Sequence, residues 1–370
     1  MEKIFSMITV LGFFILTLAG IGMFSTECLA SELPKWVSNM KFKGDVRVRY
    51  QDEERDVADS ENQRFRIRLR AGIESQVNDY WSAAFGIASG GSDPRSTNQT
   101  LEDTFETGDA MLDYAYAQFE NDMVTVVAGK FGNPIWNPKD LLWDGDIMPD
   151  GFAASFNFEA SDIVKVFLTP TVFVLDEWKD TDTEDLPTIM ALQAGIDADF
   201  KDTGYIKFAG TYYGMNGIEG NDWSEHSSGT NSLDADGNWM YDHDAFSLEA
   251  EAGLTNLPVF AALYGQYVSA DVNEEDTGYL FGAKIGDKKV KELGDWQVNL
   301  NYRNLEKDAW LDFVPDSDFF GGATGVKGYE AEFTVGLSKN VSAGIDYYKT
   351  EEIDGDEEED VIQVDLVVKF

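Results

Sequence analysis

The stretch Gln63-Arg-Phe-Arg-Ile-Arg-Leu-Arg-Ala-Gly-Ile-Glu-Ser-Gln76 decides the fold class. Phe65, Ile67, Leu69, Ala71 and Ile73 fall on one face of an extended chain, while Arg64, Arg66, Arg68, Arg70 and Glu74 fall on the other. A period of two belongs to a β-strand, whose successive side chains point to opposite faces. Asp45-Val-Arg-Val-Arg-Tyr50 repeats the scheme, and Tyr329 to Val335 follows it less strictly. The stretch Val361 to Phe370 sets Ile362, Val364, Leu366, Val368 and Phe370 on one face. Past residue 40 no helical period persists over any length.

Alternation of this kind has two readings. In a soluble sandwich the apolar face points inward. In a transmembrane barrel it faces lipid, and the polar face lines a wet lumen. Periodicity alone does not separate them; the spacing and length of the segments do. Candidate strands lie near 40–51, 63–77, 80–90, 111–120, 123–131, 151–159, 162–175, 188–201, 203–216, 244–255, 257–271, 277–288, 294–305, 327–338, 340–352 and 360–370, about sixteen in all. Many have the roughly ten residues that cross a bilayer at a tilt. Short connections (Asn78-Asp79, Asn121-Asp122, Ala160-Ser161, Asp202, Asn256, Lys339-Asn340) alternate with longer ones (52–62, 91–110, 132–150, 176–187, 217–243, 306–326, 353–359). The segments 272–276 and 289–293 depart from the rhythm. One rim of tight turns and one of longer loops is what an up-and-down barrel shows. Tyr80, Trp81, Phe119, Phe158, Phe200, Tyr205 and Trp296 crowd the tight-turn ends, as an interfacial aromatic girdle does.

The composition fits. The 370 residues carry 28 Lys+Arg against 68 Asp+Glu, a net charge of −40. Such a surface repels nucleic-acid phosphates. Hydrophobic content of 43% excludes simple disorder, and a mean hydropathy of −0.29 argues against a helical membrane protein. Met1-Glu-Lys3, an apolar run from Ile4 to Met23, and small residues at Cys28 and Ala30 read as a signal peptide over 1–30. Cleavage after Ala30 leaves 31–370 as a single β-barrel domain and removes Cys28, the single cysteine, so no disulfide or thiolate chemistry is expected.

Several segments carry a resemblance: Phe42 to Gln51, Arg64 to Gly72, Ser96-Thr-Asn-Gln-Thr-Leu101, Leu112-Asp-Tyr-Ala-Tyr116, Ala128-Gly-Lys-Phe-Gly-Asn-Pro134 and Asp144 to Gly151. Through them the chain resembles the "putative porin" family of Gram-negative bacteria, a general-porin-like outer-membrane β-barrel. The specific part covers about the first third of residues 31–370; the remainder matches in strand rhythm and the terminal Phe. The resemblance implies a sixteen-stranded porin in the outer membrane, a homotrimer, with short periplasmic turns and longer extracellular loops. Phe370, with Val368 and Leu366 behind it, is similar to the signal read by the barrel assembly machinery. Lipid and lipopolysaccharide are the implied surroundings.

In general porins the third long loop folds into the lumen. Here that segment is Gly132 to Asp150, which mixes Trp136, Leu141, Leu142 and Trp143 with Lys139, Asp140, Asp144, Asp146 and Asp150. An outward loop leaves its apolar residues as a costly exposed patch. Trp136, Lys139, Asp140, Trp143, Asp144 and Asp146 are therefore the candidate constriction. Arg47, Arg49, Arg64, Arg66, Arg68 and Arg70 form a basic ladder on the lumen face of the first hairpin, with Arg47 near Arg68 and Arg49 near Arg66. Asp140, Asp144 and Asp146 are expected to face it.

Enzymatic motifs are nearly absent, and no catalytic residue or cofactor is expected. His226 and His243 sit in one loop at a spacing that fits no standard metal site and read as solvated loop residues. Asp234-Ala-Asp-Gly-Asn238 starts like a calcium loop, but Trp239 stands where that pattern needs Gly. Loose Ca2+ or Mg2+ binding by it or by Asp354 to Asp360 is the alternative to plain solvation. The function expected is a channel for passive diffusion of ions and small hydrophilic solutes. The alternative is a surface or soluble carbohydrate-binding β-protein using loop aromatics such as Trp223, Trp239 and Trp310.

Overall fold

The computed structural model describes residues 35–56, 60–102, 104–105, 107–176 and 186–370. The expected signal peptide lies outside these residues. A short helix, α1 (Lys35–Ser38), precedes β1 (Lys41–Arg55) and β2 (Ser60–Gln76). There follow β3 (Trp81–Ser89), β4 (Gln99–Thr100), β5 (Ala110–Glu120), β6 (Val124–Lys130), β7 (Asp150–Ser161) and β8 (Val164–Val174). Next come β9 (Thr188–Asp199), β10 (Gly204–Asn216), β11 (Ala245–Leu254), β12 (Phe260–Ala270) and β13 (Thr277–Gly286). The last four are β14 (Trp296–Leu305), β15 (Val326–Ser338), β16 (Val341–Glu352) and β17 (Glu358–Lys369).

Apart from β4, each strand pairs antiparallel with its neighbours in sequence, and β1 pairs with β17 as well as β2. The result is a closed sixteen-stranded antiparallel barrel, as expected from the sequence. β4 is an addition: it pairs with Arg66 and Ile67 of β2, beyond the point where the shorter β3 stops at Arg70. All sixteen strands expected from alternation are present, with ends within a few residues.

The alternation is inverted relative to a soluble protein. Val46, Val48, Phe65, Ile67 and Leu69 are exposed, whereas Asp45, Arg49 and Arg68 on the opposite face are buried at 7, 3 and 8% exposure. In β17, Ile362, Val364, Leu366 and Val368 are exposed, while Gln363 between them is fully buried. Apolar side chains out and charges in is stable only where the outside is lipid. A barrel also leaves no strand edge with unpaired amides, which hydrocarbon does not tolerate.

Tight turns gather at one rim, where β1 starts and β17 ends. Asn78 closes one by accepting the amides of Tyr80 and Trp81 at 3.0 Å through its side-chain oxygen, and Asn121 does the same for Met123 and Val124. Tyr80, Trp81, Phe158, Phe200 and Trp296 are exposed near this rim. Tyr205 departs from the expected girdle. Its register places it on the inward face, with Ile206 and Phe208 outward, and its hydroxyl donates to Glu251 at 2.6 Å. A shift of one residue in a period-two element changes the face.

The barrel contains an apolar core. Phe173, Tyr213, Val268 and Leu280, on inward strand faces, pack with Leu141, Leu142 and Trp143 of the connection 131–149 and with Trp310 and Leu311 of the connection 306–325. Trp310 meets Tyr213 edge-on at 4.8 Å and Trp143 at 6.0 Å between ring centroids. Burying a side chain of this size contributes about 2 kcal/mol relative to leaving it exposed. The core thus fixes both connections against the β8–β13 part of the wall.

Candidate solute pathway

The β1–β2 hairpin sets the ladder. Its register places Arg47 opposite Arg68 and Arg49 opposite Arg66, the pairing that keeps both polar faces together. Like charges opposite one another are destabilising, and carboxylates offset most of them. Arg49 makes a two-pronged pair with Asp365 at 2.8 Å and reaches Asp318 at 2.8 Å. Arg68 and Arg70 share Asp45, and Arg70 also reaches Asp146 at 3.0 Å. Arg64 pairs with Glu53 at 2.7 Å, and Arg47 lies 3.6 Å from Asp365. Glu74 pairs with Lys43 instead. Among the described residues Arg66 has no carboxylate partner; its guanidinium donates to Gln51 at 3.2 Å and to Ser96 at 3.3 Å. Arg47 likewise donates to Asn98 at 2.6 Å. Ser96 and Asn98 belong to the connection that β4 ties to β2.

The third long connection reaches inward-facing side chains around the barrel. The amide of Trp136 donates to Gln193 of β9, whose side-chain amide donates back to the Trp136 carbonyl, both at 2.9 Å. Asn137 accepts from Gln266 of β12 at 2.7 Å. Lys139 pairs with Glu330 at 2.8 Å and Glu332 at 2.9 Å, both on β15. Burial disfavours its charge, but Asp140 and these two glutamates hold the ammonium protonated, well above a lysine's ordinary range. Asp146 meets Arg70 and accepts from the Thr97 hydroxyl at 2.9 Å.

Of the three acids expected to face the ladder, Asp146 alone does so. Asp140 pairs with Arg303 of β14 at 3.0 Å. Asp144 is buried at 8% exposure and accepts the amides of Ser317 and Asp146, each at 2.8 Å. Burial pushes its carboxyl up to about 7. Trp143 lies in the apolar core.

The connection 306–325 carries a part of the site that sequence reading missed. Asp316 pairs with Arg303 at 3.1 Å, and Trp310 donates its indole N–H to the Leu142 carbonyl at 2.7 Å. Asp318 meets Arg49; burial works against its charge, but the guanidinium holds its carboxyl below the usual range. The available signal was the mixture Ala309-Trp-Leu311, Phe313-Val314 and Phe319-Phe320 among four aspartates, the same combination that singled out 132–150.

Asp140, Asp316 and Glu330 converge closely enough to hold a metal ion. Arg303 already fills that role, since its guanidinium bonds to all three. His243 is buried, not solvated, with ring nitrogens near the Tyr241 carbonyl at 2.9 Å and Asp308 at 3.5 Å. His226 is exposed, 4.0 Å from Asp176. Asp234 turns one oxygen to the amides of Asp236 and Asn238. Trp223, Trp239 and Trp310 are at most 2% exposed, so they offer no open platform for a sugar.

Among solved structures, the chain is similar to Pseudomonas putida OprB at high pH, with 12% identity, a TM-score of 0.58, and coverage of 93% of this chain and 100% of that one. It is also similar to a triple mutant of Rhodopseudomonas blastica porin, with 13% identity, a TM-score of 0.50, and coverage of 90% of this chain and all of the other. At such identities the likeness concerns the fold. No curated protein matches the sequence. The family model described as "Putative porin" matches residues 55–239 and 230–370. The chain belongs to that family and is a porin-type β-barrel channel of the outer membrane.

Proposed function

We propose that this protein lets ions and small hydrophilic solutes diffuse passively across the outer membrane. The connection 131–149 lies within the lumen and, with 306–325, narrows it beside the arginine ladder. The observation that carries the reading is the reversed polarity of a sheet without edges: Val46, Leu69 and Val364 face out, and Arg49, Arg68 and Gln363 face in. A barrel of about sixteen strands leaves an aqueous channel. The inward bonds of Trp136, Asn137, Lys139 and Asp146 support a constricted path. Polar walls replace part of a solute's hydration, the opening sets the size limit, and fixed charge biases ions. Passive passage calls for no cofactor. The chain is exported by the signal peptide, inserted through Phe370 by the barrel assembly machinery, and assembled as a homotrimer among lipid and lipopolysaccharide. The deciding measurement is single-channel conductance in a planar bilayer with protein shown to be folded by heat-modifiable gel migration. Stepwise ohmic openings are expected. Folded protein that never conducts would overturn the channel while leaving the barrel intact.

A further inference from the structure

A cavity of about 970 Å³ opens at the tight-turn rim, apart from the arginine ladder. It is lined by Trp136 of the third long connection and by residues of β9, β10, β11 and the turn after β13. Lys201, Lys207, Lys288 and Lys289 all line it. The chain has few bases to place, yet none of these four ammoniums has an ion-pair partner among the described residues. Lys207 instead lies 4.4 Å from the ring centroid of Trp136 and 5.2 Å from that of Phe167, and Lys288 lies 4.3 Å from that of Tyr205.

The cavity also has acids, and two are partly engaged. Glu251 accepts from Lys284 at 3.1 Å and from the Tyr205 hydroxyl at 2.6 Å. One oxygen of Asp199 accepts the Lys201 amide at 2.8 Å. Asp197 and Asp202 complete the acidic lining. Four lysines thus stand against four carboxylates, of which both oxygens of Glu251 and one of Asp199 are already engaged.

The aromatic groups are held in place. Gln193 clamps the Trp136 backbone from both sides. The Tyr205 ring lies over Gly253, where a Cβ would come within 2.4 Å of it, so only glycine leaves room. A cation over an aromatic face is a modest interaction. A charge-assisted hydrogen bond to a carboxylate is stronger, so an incoming anion gains by drawing the lysines to itself. A planar ring on the same solute gains by stacking on the indole or phenol. The volume lies within the range of small-molecule sites.

We propose that this cavity binds small aromatic carboxylates, the ring against Trp136 or Tyr205 and the carboxylate held by the surrounding lysines. The proposal depends on the channel reading only in placing the site on a solute's route; binding itself does not need conduction.

The test uses the full chain folded in detergent, titrated with benzoate, acetate and benzyl alcohol and followed by calorimetry. Benzoate is expected to bind more tightly than either of the others. Lys207→Gln/Lys288→Gln should weaken benzoate by about fivefold or more and leave benzyl alcohol unchanged. Trp136→Leu should bring benzoate down toward acetate. The single lysine replacements serve where the double one fails to fold. Equal affinities for benzoate and acetate, or benzoate binding unchanged in folded lysine variants, would overturn the proposal. In a planar bilayer, benzoate added on the tight-turn side is expected to interrupt the current. Binding without any conductance would sink the channel reading and leave the site standing; conductance without benzoate binding would do the opposite.

Discussion

The carboxylate of Asp144 accepts the amide of Ser317 at 2.8 Å, tying the third long connection to the one between β14 and β15. The amide of Asp144 donates to the carbonyl of Val314 at 2.8 Å, so the link is double. Neither connection borders a strand of the other. Their joint packing over the apolar core is a tertiary choice, and it places a buried carboxyl where protonation is favourable.

That carboxyl makes stability depend on pH. Its folded pKa of about 7 lies above the unfolded 3.8. Asp144 thus disfavours the folded state above pH 7, and the penalty is relieved as pH falls toward 4. Asp316, also raised by burial, acts in the same direction. Asp318 is lowered, so its contribution is lost only below the ordinary carboxylate range, outside this window. Taking the barrel from pH 8 to pH 5 should stabilise the parent relative to Asp144→Asn by roughly 1–3 kcal/mol. Urea midpoints of the two proteins at both pH values check this. A difference that does not change with pH would show that Asp144 does not titrate there.

Arg303 is the hub of the charge cluster. It is 3% exposed and bonded to Asp140, Asp316 and Glu330. Replacing it with Met leaves Asp140 and the buried Asp316 and Glu330 with Lys139 as their remaining cation, and breaking such a cluster typically costs about 3–5 kcal/mol. Arg303→Met should lower the temperature at which the folded gel band disappears and raise protease sensitivity within 131–149. Arg303→Lys should rescue only part, because an ammonium lacks the planar fork that reaches three partners. Full stability of the Met variant would show that the cluster contributes nothing net.

The strands were legible because alternation is local: β8 was expected at 162–175 and runs Val164–Val174. The Arg47–Arg68 register was legible for the same reason, since shifting it would send charges into lipid. The partners of the ladder were not. Asp318 and Asp365 reach Arg49 from 269 and 316 residues away, and no local pattern announces that distance. The third connection was singled out by its tryptophans and leucines. The equally apolar 306–325 was not singled out: of its aromatics only Trp310 drew a reading, as a loop aromatic of the alternative sugar-binding function, and its packing against Tyr213 at 4.8 Å excludes that role. Tyr205 failed at the smallest scale, one residue of parity at a strand start.

Phe370 closes the sheet. Its carbonyl accepts the Gly44 amide at 3.0 Å, and its own amide donates to the Gly44 carbonyl at 2.9 Å. A Cβ at Gly44 would lie 2.5 Å from the Phe370 ring, so the ring occupies the space the glycine leaves. Phe370→Ser removes that cover at the seam between β1 and β17, where an open edge in lipid is not tolerated. Severalfold less folded barrel in the outer membrane is expected, with export unaffected. Normal barrel yield would count heavily against a role for this residue in closure.

Arg66 and Arg68 differ in what surrounds them, and that difference predicts selectivity. Arg66 has no carboxylate within ion-pair distance among the described residues, so Arg66→Gln removes a positive charge without breaking an ion pair. Arg68 pairs with Asp45 at 2.8 Å and lies 3.9 Å from Asp146. Arg68→Gln therefore leaves those acids to Arg70 alone. Both changes make the path beside the ladder more negative, so the double variant should shift its reversal potential toward cations in a salt gradient. The shift should be largest at low salt and shrink as the screening length falls below about 10 Å, near 0.1 M. Adding Asp146→Asn to the double variant should move it part of the way back, because it removes a carboxylate that then shares Arg70 with Asp45. Conductance steps confirm that each variant still forms a channel. An unchanged reversal potential in a folded, conducting double variant would show that ions take a path away from the ladder, along the opposite side of the third connection.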